Sequence, residues 1–492
     1  MTYTDVAIIG AGFGGLGAAI RLRQKGFTDF LVFEKADEIG GTWRDNTYPG
    51  CACDVPSHLY SFSFALNPNW SDTFSGQQEI WDYLLKTADH QGVRPHVRCG
   101  HAITNAAWDE AEQQWVLQTS QGEYRARVLI SATGPLSEPS IPDIPGLDSF
   151  QGKVFHSARW QHDYDLTGKN VAVVGTGASA IQFVPAIQPK AGHVTVFQRT
   201  PAWTMRRMSR RITKAERFVY RHVPGAQRLT RGVLYWTREL MGVGFFHPRV
   251  NKFGQKIALA TLKKDVKDPV TRAKLTPKYV LGCKRVLLSN DWWPTFSKPN
   301  VSLVASAITH IKPDRVVAAD GSEHQADTII LGTGFHVTDM PVMHHIRGRD
   351  GKTLAERWDP TMRAYLGTTV AGFPNLFFLL GPNTGLGHTS VVIQIESQLN
   401  QIIKALKYMR RNKIHAIEPT PDAQLRDSLE VDRKMEGTVW STGGCQSWYL
   451  DATGRNSTLW PGFVTTFRLR LKRFRAKDYS PVGASRELTP AR

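Results

Sequence analysis

Cysteine is scarce in this chain. Five cysteines in 492 residues, scattered rather than regularly spaced, exclude a disulfide-stapled scaffold and predict a reduced, cytoplasmic setting. Long apolar runs are missing as well: the longest, such as residues 376–380, fall well short of the roughly 20 residues that a membrane-spanning helix needs. The apolar start at residues 6–9 runs straight into glycines, with neither a basic leader nor a small-residue cleavage site, so no targeting segment is expected. No short fixed-period repeat is present, which excludes a solenoid, and no metal site is expected. Acidic residues are in deficit: 43 Asp and Glu face 61 Lys and Arg, a net charge of +18. That charge favours anionic partners such as nucleotide phosphates or an acidic membrane. Nucleic-acid binding is not expected, because no recognition module accompanies the charge.

What is present is ordinary globular material. Hydrophobic residues make up 41% and charged residues 21%, enough apolar surface for sizeable cores, and the length predicts about three domains. Residues 5–9 read as a buried strand, residues 16–24 as a helix and residues 30–33 as a second strand. Residues 35–100 are rich in turn formers and aromatics. Trp108, residues 115–118 and residues 123–127 suggest an antiparallel meander, and residues 128–132 return to a buried strand. Pro135, Pro139, Pro142 and Pro145 mark a hinge-like linker. A second strand-turn-helix unit opens at Asn170. Residues 205–281 are helical and strongly basic, as in an insertion. Strands are expected at 301–304, 328–331 and 375–380, a helix at 390–410, and loop beyond residue 484.

Two glycine turns carry the chemistry. Gly10-x-Gly12-x-x-Gly15 sits between a strand and a helix, and Glu34 follows 24 positions after Gly10 at the end of the next strand. Glycines there let the backbone approach a pyrophosphate at the helix N-terminus, and the acid accepts hydrogen bonds from ribose hydroxyls. The second turn, Gly175-Thr176-Gly177-Ala178-Ser179-Ala180, follows a Val171-Ala172-Val173-Val174 strand. Its next strand ends in Gln198-Arg199-Thr200 instead of an acid. Arginine pairs with a 2′-phosphate where an acid would repel it, so this turn predicts NADPH. One acid-ended and one arginine-ended turn predict a flavoprotein oxidoreductase holding FAD and NADPH. The fold class is α/β, with two Rossmann-like dinucleotide-binding domains and a helical insertion in the second. Residues 1–147 and 331–492 are assigned to FAD, 148–205 and 282–330 to NADP, and 206–281 to the insertion.

A disulfide reductase of this plan needs a dithiol beside the flavin. Here Gly41-Thr42-Trp43-Arg44-Asp45 occupies the corresponding stretch, and Cys51 and Cys53 are spaced C-x-C, so they read as small buried hydrophobes. Gly41-x-Trp43-x4-Tyr48-Pro49-Gly50-x3-Asp54 resembles one fingerprint of the type I Baeyer–Villiger monooxygenases. Phe150-x-Gly152-x3-His156-x3-Trp160 resembles their other fingerprint, departing at Gln161.

The resemblance implies that NADPH reduces FAD, that O2 forms a C4a-peroxyflavin, and that this converts a ketone to an ester or lactone. It places Thr42, Trp43, Asp54 and Tyr60 around the flavin. Gly282-Cys283-Lys284-Arg285 resembles the segment with the family's essential arginine, so Arg285 is expected to be catalytic with Asp54 as its carboxylate. Lys284 joins Arg199 and Thr200 on the 2′-phosphate, while Gly175, Gly177 and Ser179 cradle the pyrophosphate. Cys445-x-Ser447-Trp448 resembles a mobile loop whose tryptophan closes over NADP and substrate; Trp448 as a core aromatic is the alternative. Two rival functions stay open: an N- or S-oxygenating flavin monooxygenase, and a flavoprotein that only oxidises NADPH. Residues 206–221 and 468–477 mix basic and apolar side chains and read first as solvated faces, with a weak membrane-surface contact as the alternative. The oligomeric state is open.

Overall fold

The computed structural model describes residues 2–482, so the tail expected as loop beyond residue 484 lies outside the described residues. The apolar opening run forms β1 (Thr2–Ile9), which lies between β2 (Phe30–Phe33) and β6 (Gly122–Ser131) with both pairings parallel. Helix α1 (Phe13–Gln24) makes the crossover between β1 and β2 and starts three residues earlier than periodicity predicts, at the glycine turn itself. Its early start has a local cause: Gly14, Gly15 and Gly17 have no side chains to mark an apolar face, and backbone packing fills that role. Short α2 (Thr42–Asp45) and α3 (Gln77–His90) lie in the aromatic-rich stretch. Beyond β3 (Val97–Arg98), β4 (Ile103–Asp109) and β5 (Gln114–Thr119) run antiparallel into β6, the meander expected from the tryptophans.

The second sheet is wholly parallel, in the order β12-β9-β8-β16-β7. Its strands are β7 (Lys153–His156), β8 (Asn170–Val174), β9 (His193–Phe197), β12 (Val301–Val304) and β16 (Thr328–Leu331). Continuous apolar runs such as Val171–Val174 suit strands covered on both faces, here with α4 (Ala180–Ile187) on one side. A small antiparallel sheet of β13 (Ile308–Lys312), β14 (Arg315–Ala318) and β15 (Glu323–Gln325) flanks it. Two-residue strands β10 (Thr204–Met205) and β11 (Leu287–Leu288) pair in parallel. Between them lie five helices: α5 (Lys214–His222), α6 (Ala226–Met241), α7 (Val243–Phe246), α8 (Asn251–Asp265) and α9 (Pro269–Lys274). A capping box of Thr213 and Glu216 opens α5, and Asp268 caps α9, which explains why those helices begin where they do.

After α10 (Trp292–Thr295) and β16 the chain returns to the first sheet through β17 (Ile346–Arg347), α11 (Leu354–Trp358) and β18 (Leu376–Phe378), the last beside β6. Strand β18 is shorter than the expected 375–380. Asn375 takes a left-handed φ of 54°, its amide donating to the Arg127 and His415 carbonyls, and Leu380 has φ 58°. Helix α12 (Val391–Arg411) is capped by Ser390 and packs along α1. The outgoing and returning linkers run side by side: Ser140 N–H donates to Gly334 O and His336 N–H to Glu138 O, each at 2.9 Å.

Candidate active site

Each glycine turn is pressed against the end of a neighbouring strand. A side chain on Gly10 (φ +95°) would bring its Cβ to 2.8 Å from the Ala132 carbonyl oxygen, and one on Gly175 (φ +106°) to 2.5 Å from that of Gly332. Only glycine suits both the dihedral and the gap. No side chain caps α1 at Gly12 or α4 at Ser179, which leaves helix-start N–H groups open to a phosphate. A Cβ at Gly177 would meet nothing within 4 Å, so that turn borders open space. These features fit two pyrophosphates.

Glu34 stands at the end of β2, nearly fully buried. Its Oε2 accepts from Ala11 N–H at 2.9 Å, while its Oε1 accepts from Ala36 N–H at 3.0 Å and faces Arg44 Nη1 at 3.1 Å. The carboxylate therefore fixes the first turn and keeps Oε2 with room for one further donor, as a ribose hydroxyl provides.

A cavity of about 550 Å³ joins the two units. From the first it takes Thr42, Trp43, Asp54 and Tyr60, and from the second Gly177, Ser179, Thr200, Lys284 and Arg285. Gly10, Gly12, Gly15 and Gly175 of the two turns do not line it, and neither do Glu34 and Arg199. Trp43 Nε1 donates to Tyr60 OH at 3.0 Å, and their rings meet edge to face. Burial pushes the Tyr60 hydroxyl up, so it stays protonated.

Arg285 and Asp54, 231 residues apart, form a two-pronged ion pair. Nε donates to Oδ2 and Nη2 to Oδ1, both at 2.8 Å. The Asp54 carboxylate raises the Arg285 guanidinium's pKa against the opposing effect of burial, so the cation is permanent. Both residues are half-buried, which rules out a solvated surface patch. Beside them, burial lowers the Lys284 ammonium's pKa, and the nearby Arg199 lowers it further. Neither cation has an ion pair among the described residues, and two cations held close together attract a dianion.

The sulfur chemistry departs from expectation. Cys283 and Cys445 are bonded, with Cα atoms 6.1 Å apart across 162 residues of sequence. One disulfide therefore ties the segment of Lys284 and Arg285 to the loop of Trp448. The chain has no disulfide framework, and the expectation of a uniformly reduced set is corrected: Cys51, Cys53 and Cys99 alone are free. Burial pushes the Cys51 thiol up to about 11 and Cys53 up as well. Neither supplies the thiolate that disulfide exchange needs. Trp448 borders the cavity, is 44% exposed and lies against Tyr449; it is no core aromatic.

Sequence reasoning passed over Gln182. On α4, its Oε1 accepts from Tyr48 OH at 3.0 Å and its Nε2 donates to Ala52 O at 3.0 Å, linking the two units beside the cavity. Only its place two residues after the second turn could have flagged it. His156 of the second fingerprint is buried and pulled down to about 4 by that burial. Its Nδ1 accepts from Ala158 N–H at 3.1 Å, so the ring is neutral, with its proton on Nε2.

Residues 7–217 match the family model described as pyridine nucleotide-disulphide oxidoreductase. The chain is 54% identical over 482 residues to a Baeyer-Villiger monooxygenase of Streptomyces coelicolor, covering 97% of this chain and 92% of that protein. It is similar to the structure titled OTEMO complex with FAD and NADP, with a TM-score of 0.88 at 29% identity, covering 97% of this chain and 99% of that one. It is also similar to cyclohexanone monooxygenase from Rhodococcus sp. Phi1 bound to NADP+. There the TM-score is 0.86 and the identity 31%, covering 98% of this chain and all of the other.

Proposed function

The chain belongs to the Baeyer–Villiger monooxygenases, FAD- and NADPH-dependent oxidoreductases, and from that premise we propose how its residues divide the work. Residues 1–147 and 331–492 hold FAD, residues 148–205 and 282–330 hold NADPH, and residues 206–281 form the helical insertion. The substrate is a ketone, oxidised with O2 to an ester or lactone. When bound, the flavin supplies the centre that activates dioxygen and NADPH supplies the electrons.

The observation that carries the reading is the Arg285–Asp54 fork, on the wall where residues of both units meet. A guanidinium has five N–H donors, and the fork uses only two of them. The remainder serve an oxyanion developing in the cavity, where a preorganised donor acts most strongly. Asp54 orients the guanidinium plane. Gly10, Gly12 and Gly15 admit the FAD pyrophosphate and Glu34 takes its ribose, while Thr42, Trp43 and Tyr60 wall the flavin. Gly175, Gly177 and Ser179 admit the NADPH pyrophosphate. Arg199, Thr200 and Lys284 bind the 2′-phosphate, and Trp448 closes the mouth against water. The NADPH requirement supports a cytoplasmic place of action.

The test is purified enzyme with NADPH, O2 and either a ketone or a thioether. Ester from the ketone supports this reading. Sulfoxide alone would make it a heteroatom oxygenase, and stoichiometric hydrogen peroxide without product would make it an NADPH oxidase.

A further inference from the structure

Helix α6 carries an apolar stripe that no described residue covers. Leu229, Val233, Trp236 and Leu240 are 71%, 56%, 58% and 70% exposed. At about 100° per residue their spacing of 4, 3 and 4 puts all four within an arc of about 60°. The stripe cannot turn inward, because other residues of α6 hold it in place. Glu239 accepts from Thr465 N–H at 2.6 Å, from Val464 N–H at 3.2 Å and from Tyr235 OH at 2.8 Å, and it meets His388 Nε2 at 3.2 Å. Gln227 Nε2 donates to Asn67 O at 2.6 Å. These contacts pin one side of the helix and leave the stripe facing out. Phe218 on α5 and Phe253 on α8 are exposed as well.

The charge of the insertion that carries the stripe is extreme. Residues 206–281 contain nineteen Lys or Arg against four Asp or Glu, so this sixth of the chain carries +15 of the total +18. Arg211, Lys214, Arg228, Lys252 and Lys256 are exposed and make no ion pair among the described residues.

We propose that the helical insertion is a membrane-surface docking site that lays the α6 stripe into the interfacial zone of an anionic lipid bilayer. A bilayer satisfies both features of the insertion: acyl chains take the aliphatic side chains, Trp236 suits the headgroup boundary, and anionic headgroups neutralise its exposed Lys and Arg side chains. A second copy of this chain fits poorly, since a symmetric interface would bring +15 against +15. A nucleic acid would meet the cations but leave the Leu, Val and Leu of the stripe without partners. Among the described residues no helix is long and apolar enough to cross a membrane, so the contact is a surface one. The inference rests on the insertion alone and is independent of the reaction proposed above.

The experiment is vesicle co-sedimentation of the FAD-loaded full chain. The two vesicle types are pure phosphatidylcholine and phosphatidylcholine with about one-third phosphatidylglycerol. Binding should be at least about tenfold tighter to the anionic vesicles and should fall steeply in about 0.5 M salt. The W236E and L240E substitutions together should weaken it by about tenfold or more, while bound-FAD absorbance and the thermal unfolding midpoint stay at the parent values and show the fold intact. A second variant, R228E with K252E, should weaken only the anionic-vesicle binding. Equal binding to both vesicle types, no binding to either, or binding unchanged in W236E/L240E would overturn the proposal. So would a dimer in sedimentation velocity that W236E/L240E abolishes, or RNA binding that R228E/K252E abolishes in the absence of lipid binding.

Discussion

Replacing Arg285 with alanine removes the cation while sparing both nucleotide turns. The fork to Asp54 comprises two charge-assisted bonds of 2.8 Å, and its remaining donors are the ones assigned to the developing oxyanion. Loss of one preorganised oxyanion donor costs about 2.7–4 kcal/mol of transition-state stabilisation, or about 10²–10³ in turnover. R285A should therefore lose ester formation by that factor, while flavin reduction by NADPH under nitrogen changes by less than about threefold. R285K keeps a point charge but forfeits the planar fork; it should fall between, at about a tenfold loss. Leaving the half-buried Asp54 unpaired costs about 1–3 kcal/mol of stability, so retained flavin absorbance must accompany the kinetic comparison. The assay pairs anaerobic stopped-flow reduction with ester quantified per NADPH consumed. Ester turnover in R285A within about twofold of the parent would contradict the role given to Arg285, as would parallel loss of flavin reduction and ester formation.

Other consequences are open to measurement. R199A removes a charge-assisted phosphate contact of about 1.5–3 kcal/mol; it should raise KM for NADPH by about 10–100-fold and leave KM for NADH within about twofold, whereas equal effects would contradict the 2′-phosphate assignment. Thiol titration of the denatured, unreduced protein should find the three free cysteines, and C445S should lower stability by about 2–4 kcal/mol in denaturant unfolding; five titratable thiols would contradict the bond. His58 and His156 are each pulled down from about 6.5 to about 4 by burial. Their folded pKa values lie below the unfolded ones, so the unfolded chain binds more protons between pH 4 and 6.5. Stability should therefore rise with pH through that window, by about 3 kcal/mol per histidine, and level off above it. A stability profile flat from pH 4 to 7 would contradict their neutral burial.

The sequence discloses whatever is decided by neighbours along the chain. Gly10 and Gly175 announce themselves because a turn of that kind needs glycine at those steps, and the Val171–Val174 run needs a sheet covered on both faces. Residues that act across the fold are a different matter. Only the family resemblance pairs Arg285 with Asp54; nothing in either segment by itself states that side chains 231 residues apart meet. Cys283 and Cys445 lie 162 residues apart, and no local pattern pairs them. Gln182 looks like any polar residue on a helix until Tyr48 and Ala52 come to it from the other unit. Periodicity also gives the same answer for a stripe that is covered and one that is bare. Leu229, Val233, Trp236 and Leu240 would read as core, and only the anchoring of Glu239 on another side of α6 shows that they face outward.

The reaction assigned to this chain inserts one atom of dioxygen next to a ketone carbonyl, using NADPH. Purified enzyme, NADPH and a ketone under an atmosphere of 18O2 test it most directly, with the product read by mass spectrometry. The expected product is an ester or lactone carrying one 18O atom, with no such product when NADPH is withheld. An unlabelled product, or labelled hydrogen peroxide with the ketone recovered intact across a broad panel, would contradict it.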